Sequence, residues 1–418
     1  MSRELPKGWR TGRLKDLCED VERRLGAGTK LEVLSVTKRG VIPQSETYDK
    51  EIASEDVSKY RVIHPGEFGM APMALYYGAI GRYHGDRPAI ISPAYNVFKN
   101  KSDADPNFLE ALLRLPRMIS RYDALSQGGN LEGKRKLTPY EAFETVKVLI
   151  PPYAEQQAIA EILRMVDNVI VKTEELNRQL RATTECITET LCLVINPSTG
   201  ERHLLHWRPS TINEEMVSVQ VGIVVKPASY YVNSGGIPAL RSLNVKENRI
   251  YIGDLVNISE VGHNINAKSA LRPGDVVTVR SGEPGTTAVV PKDAPELNCI
   301  DIIFSRPKPQ VRSEFVSYCM NSRLARRQVS VLQGGLAQQH LNVSEMKRIK
   351  ILVPPMTEQD RIVSILREMW QRIEIEDVGL KQLRAVRAAL AQELLSGRLP
   401  IPAIITSRLS GAGSSRAA

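Results

Sequence analysis

The sequence lacks a long apolar run: nowhere in its 418 residues is there a stretch near the roughly 18 apolar residues that a membrane-spanning helix needs. Its opening, MSRELPKGWR, carries charges with no apolar stretch behind them, which is unlike a signal peptide. Cysteine is scarce as well. The five residues are too few and too scattered for a disulfide framework, and the absence of Cys-x-x-Cys excludes a zinc ribbon. We therefore expect a cytoplasmic protein without a membrane partner.

Histidine is also rare, and the six residues include one close pair, His203 and His206. That pair has no cysteine or acidic neighbour at the spacing of metal ligands, so we expect no metal in this chain.

Sequence motifs of catalytic sites are incomplete. The tetrapeptide from Ile150 to Tyr153 resembles the (Asn/Asp)-Pro-Pro-Tyr motif of DNA amino-methyltransferases, but Ile150 and its later counterpart Val353 offer no side-chain acceptor. The segment GGNLEGK at 128–134 fits a phosphate-binding loop, but Arg135 follows where that loop needs Ser or Thr. The sequence therefore predicts a binding protein that is not itself an enzyme.

The composition is that of a globular protein, 42% hydrophobic and 25% charged. At roughly 100–200 residues per domain, the length suggests two to four domains. The net charge is +9, from 56 basic and 47 acidic residues. A basic excess of this kind attracts a polyanion.

An internal repeat organises the chain. The segment LIPPYAEQ at 149–156 returns as LVPPMTEQ at 352–359, 203 residues later. Upstream, QGG at 127–129 returns at 333–335, and HPGE at 64–67 is matched by RPGD at 272–275. Because the order of the three matches is kept, the sequence predicts two copies of one unit.

Each copy ends in a long stretch without proline, 154–195 and 357–397. Apolar residues recur there at alternating intervals of three and four, the a/d pattern of a coiled coil. The first predicted seam consists of Ile159, Ile162, Val166, Val169, Thr173, Leu176, Leu180, Thr183 and Ile187. A helix of about 40 residues is about 60 Å long, which is typical of a spacer. Since both helices follow similar regions, we expect them to pair in antiparallel orientation.

The helical stretches carry net charges of −3 and −1, so the rest of the chain carries +13. This distribution assigns polyanion binding to the two mixed regions. Arg and Lys read guanine, and Asn and Gln read adenine. The candidate DNA-binding residues are Lys134, Arg135, Lys136, Gln338, Gln339, His340 and Arg280. The match of Leu137 with Leu341 aligns the first three with the second three.

The chain resembles the specificity subunit of type I restriction-modification enzymes over nearly its whole length. The resemblance is carried by LPKGW at 5–9, YRVIHPGE at 60–67 and ISPAY at 91–95. Its most specific parts are the two Pro-Pro-x-x-Glu-Gln sequences that open the long helices, and LLSGRL at 394–399. The second half departs from the family pattern, because Trp207 lacks the Pro-x-Gly that precedes Trp9.

The resemblance implies an α+β fold. Two mixed α/β target-recognition domains would form a pseudo-twofold repeat, separated by two long antiparallel coiled-coil helices. The expected segments are recognition domains at 1–150 and 198–353, spacer helices at 151–197 and 354–400, and a disordered tail at 401–418.

The resemblance also implies the partners. The chain would read a split site in double-stranded DNA and bind two modification subunits and the restriction subunits. S-adenosylmethionine, ATP and Mg²⁺ would belong to those partners, with no cofactor in this chain. Four apolar residues lie off the predicted seams and are expected to meet either the modification subunits or the chain's own domains: Leu163, Ile170, Leu366 and Trp370.

Two other functions stay open from the residues alone. One is a DNA-binding methyltransferase or nuclease fusion, and the other is a coiled-coil scaffold that does not bind DNA.

Overall fold

The structure, a computed structural model, describes residues 5–26, 31–47, 56–127, 136–192, 207–333 and 340–401. Residue contacts divide the chain into two units. The first unit contains Met1–Lys172 and Leu380–Ala418, and the second contains Thr173–Gly379. Both boundaries fall inside long helices, so each unit includes part of both helices. Most of the expected tail, 402–418, lies outside the described residues.

The first half of the chain is mostly short strands, followed by helices. Its strands are β1 (Arg10–Arg13), β2 (Cys18–Asp20), β3 (Val33–Thr37), β4 (Gly40–Pro43), β5 (Arg61–Ile63), β6 (Phe68–Met70), β7 (Ile80–Arg82), β8 (Ala89–Ile91), β9 (Asn96–Asn100) and β10 (Lys147–Ile150). Its helices are α1 (Pro106–Leu113), α2 (Pro116–Leu125), α3 (Tyr140–Phe143) and α4 (Tyr153–Leu191).

The second half repeats this order with more short strands. Its strands are β11 (Arg208–Thr211), β12 (Met216–Val221), β13 (Tyr231–Val232), β14 (Ile237–Leu240), β15 (Val245–Lys246), β16 (Arg249–Ile250), β17 (Val256–Ile258), β18 (Val276–Val279), β19 (Thr287–Val289), β20 (Asn298–Cys299), β21 (Ile302–Pro307) and β22 (Lys350–Val353). Its helices are α5 (Ile212–Glu215), α6 (Glu260–Ile265), α7 (Ser313–Asn321), α8 (Arg323–Leu332), α9 (Val343–Arg348) and α10 (Met356–Leu394).

Sheet topology confirms the repeat. The first unit has a four-stranded sheet in the order β2-β9-β6-β7, and the second has its counterpart in the order β12-β21-β18-β19. A second sheet in each unit contains one parallel pair, β3 with β8 and β14 with β20. The mixed α+β fold expected from the sequence is therefore present in both halves.

The strand that opens each unit pairs with the strand that precedes its long helix. Arg10 lies opposite Ile150 in the first unit, and Arg208 lies opposite Val353 in the second. Trp9 and Trp207 consequently stand beside the start of a long helix. Trp207 therefore corresponds to Trp9, although Pro-x-Gly is missing before it.

The glutamine of each Pro-Pro-x-x-Glu-Gln motif is buried and joins its helix to a loop of its own unit. Gln156 accepts a hydrogen bond from the Asp105 N–H at 2.9 Å and donates to the carbonyl oxygens of Asp103 and Pro151. Gln359 repeats all three bonds, with the N–H of Arg312 and the carbonyl oxygens of Gln310 and Pro354. The motif thus has a structural role, because its glutamine joins the first turn of the long helix to the neighbouring loop.

The two long helices pack together in antiparallel orientation within the first unit. Arg387 of α10 forms two 2.9 Å hydrogen bonds to Asp167 of α4. Towards the start of α4, Ile159 shares a core cluster with Leu394, near the end of α10. In the second unit, Asp377 accepts hydrogen bonds from Asn177 and Arg181 of α4.

The predicted seam is wrong in the middle of α4. Leu176, a predicted seam residue, is 64% exposed, and Val169 is also exposed. The buried residues of that part of the helix are instead Asn177, Thr184 and Thr188. Thr184 and Thr188 each donate to a carbonyl oxygen four residues earlier, so their hydroxyl groups stay hydrogen-bonded when they are buried. Among the described helices, none is long and apolar enough to cross a membrane.

Candidate DNA-recognition sites

Each unit has one loop whose root is fixed by the same backbone hydrogen bond. In the first unit the Thr138 N–H donates to the Pro72 oxygen at 3.0 Å, and in the second the Leu341 N–H donates to the Arg280 oxygen at 2.9 Å. Pro72 lies in the connection between β6 and β7, and Arg280 lies in the connection between β18 and β19. The two roots are therefore equivalent in the repeat.

This equivalence corrects the alignment drawn from the sequence. Thr138 and Leu341 are 203 residues apart, the same offset as the helix-opening motifs. Leu137 therefore corresponds to His340, and not to Leu341. Lys136 corresponds in turn to Gln339. The match of Leu137 with Leu341 gave an alignment that is off by one residue, because it relied on residue identity and not on the hydrogen bond at the loop root.

The root of the first loop carries one of the predicted basic residues. Lys136 donates to an Asp123 carboxylate oxygen at 2.6 Å, and its ammonium group lies 5.2 Å from the centre of the Tyr76 ring. The structure thus anchors Lys136 to its own unit and partly neutralises its charge. Lys134 and Arg135 lie outside the described residues.

The root of the second loop is polar. His340 is exposed, and its Nδ1 lies 2.6 Å from the Ser281 hydroxyl oxygen. Arg280 donates from its guanidinium to Asp301 Oδ1 at 2.7 Å. Gln338 and Gln339 lie outside the described residues. The structure therefore brings two predicted residues together, Arg280 and His340, on either side of Ser281.

Asp301 is a site residue that the sequence did not indicate. Its φ is +49°, a left-handed conformation that is strained for residues other than glycine, although Asp adopts it more readily than most. It lies 21 residues from Arg280, so no local motif could have linked them. Strained residues are often found at functional sites, and this one holds a candidate DNA-binding side chain.

Of the two outcomes expected for Leu163 and Leu366, the structure shows packing on the chain's own units. Leu163 lies in the core of the first unit and Leu366 in the core of the second, so neither can reach a partner. Leu163 lies four residues after the buried Ile159, and Leu366 lies four residues after the buried Ile362. This spacing places each leucine on the helix face that covers its own unit. Ile170 and Trp370 are only half-buried.

Other apolar residues of the long helices are exposed. They are Met165, Val169, Val171 and Leu176 on α4, and Ile365, Ile375, Val378 and Val386 on α10. Exposed apolar side chains in this number along two helices are typical of a protein-binding surface.

Most of the cysteine side chains are buried. Cys18, Cys192, Cys299 and Cys319 are buried, and only Cys186 is exposed. Burial raises the pKa of the Cys18 thiol to about 12, so that thiol stays protonated at neutral pH. Within the described ranges, no three His, Cys, Asp or Glu residues are grouped so that they could hold a metal ion.

Comparison with known proteins adds the family. A family model described as the type I restriction modification DNA specificity domain matches residues 227–384. A Methanocaldococcus jannaschii protein that bears the name type I restriction enzyme MjaX specificity subunit is 22% identical over 427 residues, covering 95% of each chain. The StySPI type I specificity subunit of Salmonella potsdam is 22% identical over 281 residues, covering 63% of this chain and 58% of that one.

Solved structures share the fold. The S subunit of a type I restriction-modification system from M. genitalium is superposed with a TM-score of 0.55 at 13% identity, covering 96% of this chain and 99% of that one. A chain from a study of complex assembly and conformational transition in the type I R-M system gives a TM-score of 0.57 at 18% identity, covering 95% and 100%. The chain is therefore similar to type I specificity subunits over nearly its whole length: the family model covers residues 227–384, and the M. jannaschii relative extends the similarity to 95% of the chain.

Proposed function

We propose that this chain is a non-catalytic DNA-recognition subunit, and that each of its two units reads one half of a bipartite site in double-stranded DNA. The observation that carries the proposal is the repeated loop root, formed by Thr138 and Pro72 in one unit and by Leu341 and Arg280 in the other. Both loops contain side chains suited to DNA: Lys134 and Arg135 in the first, Gln338 and Gln339 in the second.

Charge supports the same assignment. The two helical stretches are slightly acidic, so the +13 that remains belongs to the rest of the chain, chiefly the regions that carry the loops. Attraction of phosphates by basic residues supplies the sequence-independent part of DNA affinity. The loop residues then discriminate between bases, because only contacts with base edges report the sequence directly.

We assign the long helices two roles. Their fixed length would set the number of base pairs between the two half-sites. Their exposed apolar residues would bind two modification subunits, which methylate adenine with S-adenosylmethionine. Restriction subunits, which use ATP and Mg²⁺, would join the same assembly. This assignment replaces Leu163 and Leu366 by the exposed residues Met165, Val171 and Leu176 of α4, and Ile375, Val378 and Val386 of α10.

The full chain tests the proposal by selection from a random library of duplex DNA. We expect two short conserved blocks separated by a gap of constant length, as two linked readers produce. The logarithm of affinity should fall linearly with the logarithm of salt concentration, with a slope of about 0.9 for each phosphate contact.

Two results would contradict the proposal. Failure of the chain to bind duplex DNA at low salt would favour the scaffold. Methyl transfer to DNA by the isolated chain with S-adenosylmethionine would favour the fused methyltransferase.

A further inference from the structure

The two loop roots have the same backbone arrangement but opposite chemistry. An offset of 208 residues at the strand connection aligns Met73 with Ser281. An offset of 203 residues at the loop root aligns Leu137 with His340. In the second unit these positions hold two polar groups in a hydrogen bond, Ser281 with His340. In the first unit both positions are apolar.

The first loop root exposes its apolar side chains. Met73 is 38% exposed, Leu137 is 42% exposed and Tyr77 is 46% exposed. Met73 and Leu137 each adjoin one partner of the hydrogen bond from the Thr138 N–H to the Pro72 oxygen. The ring of Tyr77 packs edge-on at 5.0 Å against that of Tyr76, over which Lys136, the neighbour of Leu137, lies. Exposing three large apolar groups together is unfavourable in water, so a ligand that covers them gains binding energy.

The groups around this surface identify DNA as the ligand. Lys136 lies over the Tyr76 ring, and Lys134 and Arg135 directly precede it in the sequence. Apolar side chains beside Lys136, which ends a run of three basic residues in the sequence, fit a polyanion that also presents apolar groups. In the major groove of DNA the apolar group of that kind is the C5 methyl of thymine.

We propose that the first unit recognises its half-site through thymine methyl groups packed against Met73, Tyr77 and Leu137, whereas the second unit reads hydrogen-bonding base edges with Arg280 and His340. This inference rests on the proposed function, since it specifies how each unit reads DNA. It makes the two halves of one repeated fold chemically different readers. The first half-site must contain thymine at the contacted positions.

Thymine-to-deoxyuridine replacement tests the inference, because it removes the methyl group and leaves every base-pairing atom in place. Each thymine of the selected duplex is replaced in turn, and binding by the full chain is measured. In the half-site read by the first unit, we expect affinity to fall about fourfold for each contacted methyl group, the equivalent of about 0.8 kcal/mol.

Variants locate the effect. The double variant Met73→Ser with Tyr77→Ser should bind the thymine and deoxyuridine duplexes equally well, while Tyr77→Phe should retain the preference for thymine. These side chains are exposed, so the fold should tolerate their replacement. Tyr231→Ser is a matched control, because Tyr231 is a similarly exposed tyrosine of the second unit; it should leave the methyl dependence unchanged.

Each contrary outcome is decisive. If specific binding shows no methyl dependence, or if the double variant retains it, the inference is wrong while bipartite recognition stands. If the double variant keeps its DNA preference and loses the modification subunits on co-purification, the apolar surface binds protein. If the wild-type chain selects no sequence at all, the proposed function itself fails, and this inference fails with it.

Discussion

Trp207 donates its indole N–H to a carboxylate oxygen of Glu358 at 2.6 Å, which ties the start of the second unit to the first turn of α10. Trp9 makes the same bond to Glu155 at 2.8 Å. The Glu of the repeated helix-opening motif thus holds a tryptophan, and the Gln that follows it holds a loop. These contacts explain why the motif occurs once in each half of a protein whose two loops differ.

Replacing the buried glutamine should destabilise its unit. In Gln156→Ala the Asp105 N–H and two carbonyl oxygens lose their partner in a buried place, and an unsatisfied buried donor costs about 1–3 kcal/mol. We expect the free energy of unfolding to fall by about 2 kcal/mol, measured by urea titration with circular dichroism. The neighbouring Gln157 is only half-buried, so Gln157→Ala should change the free energy of unfolding by less than about 0.5 kcal/mol. Equal effects of the two variants would refute this account.

Much of the fold follows from the sequence, because its signals are local or repeated. The repeat and the long helices are examples: α4 begins at Tyr153 and α10 at Met356, directly after the paired prolines. The buried face of α4 could not be predicted, because apolar periodicity points to Leu176 while the contact uses Asn177 and two threonines. That face depends on hydrogen bonds of polar side chains, to Asp377 from Asn177 and within α4 from the threonines, and apolar periodicity does not reveal them.

The recognition sites were predictable only as loops. Basic residues near 134 and the counterpart region near 338 pointed to the two equivalent roots, because charge and repeat order are visible in the sequence. The contact of Arg280 with Asp301 was not visible, since it joins residues from different strand ends. The correspondence of Leu137 to His340 in the repeat was not visible either, because it depends on a backbone hydrogen bond.

Two nearby positions on α4 should distinguish a defect in folding from a loss of partner docking. Leu163 is 2% exposed, so Leu163→Asp places a charge in the core and should cost about 4 kcal/mol or more. Met165 is 49% exposed, so Met165→Asp should melt like the wild type. Co-expression with the modification subunits should show that Met165→Asp fails to co-purify with them. Normal co-purification of a folded Met165→Asp chain would remove this residue from the docking surface.

Asp301→Gly should weaken DNA recognition without weakening the fold. Glycine adopts a φ of +49° freely, which relieves about 1 kcal/mol of strain, while the ion pair to Arg280 that is lost is partly exposed and contributes about 0–1 kcal/mol. We expect an unchanged or higher melting temperature together with relaxed base preference at one position. Arg280→Ala should relax the same position, by about 1–3 kcal/mol of discrimination. A change at different positions in the two variants would show that Asp301 does not act through Arg280.

Acid should loosen the contact of the helices in the second unit. Partial burial raises the pKa of Asp377, but hydrogen bonds from Arg181 and Asn177 outweigh it, and the net pKa lies below the ordinary 3.8. A lowered folded-state pKa means that the carboxylate stabilises the fold above pH 3.8 and that this contribution is lost as the pH falls through the folded value. Asp377→Asn should therefore lose less stability than the wild type between pH 5 and pH 2.5, as followed by thermal unfolding. The exposed Asp293 provides the control, and Asp293→Asn should follow the wild-type profile.

Helix length should set the gap between the half-sites. Four residues inserted after Lys172 and four inserted after Gly379 would lengthen α4 and α10 equally, by about 6 Å, with the helix face turned by about 40°. Since base pairs are spaced about 3.4 Å apart, the selected gap should grow by one or two base pairs. The bases of both half-sites should stay the same, because the insertions leave both loop roots untouched. Four residues inserted after Asp293, in an exposed turn of the second unit, should leave the gap as it was. If the lengthened helices change the bases and keep the gap, the helices are not the spacer.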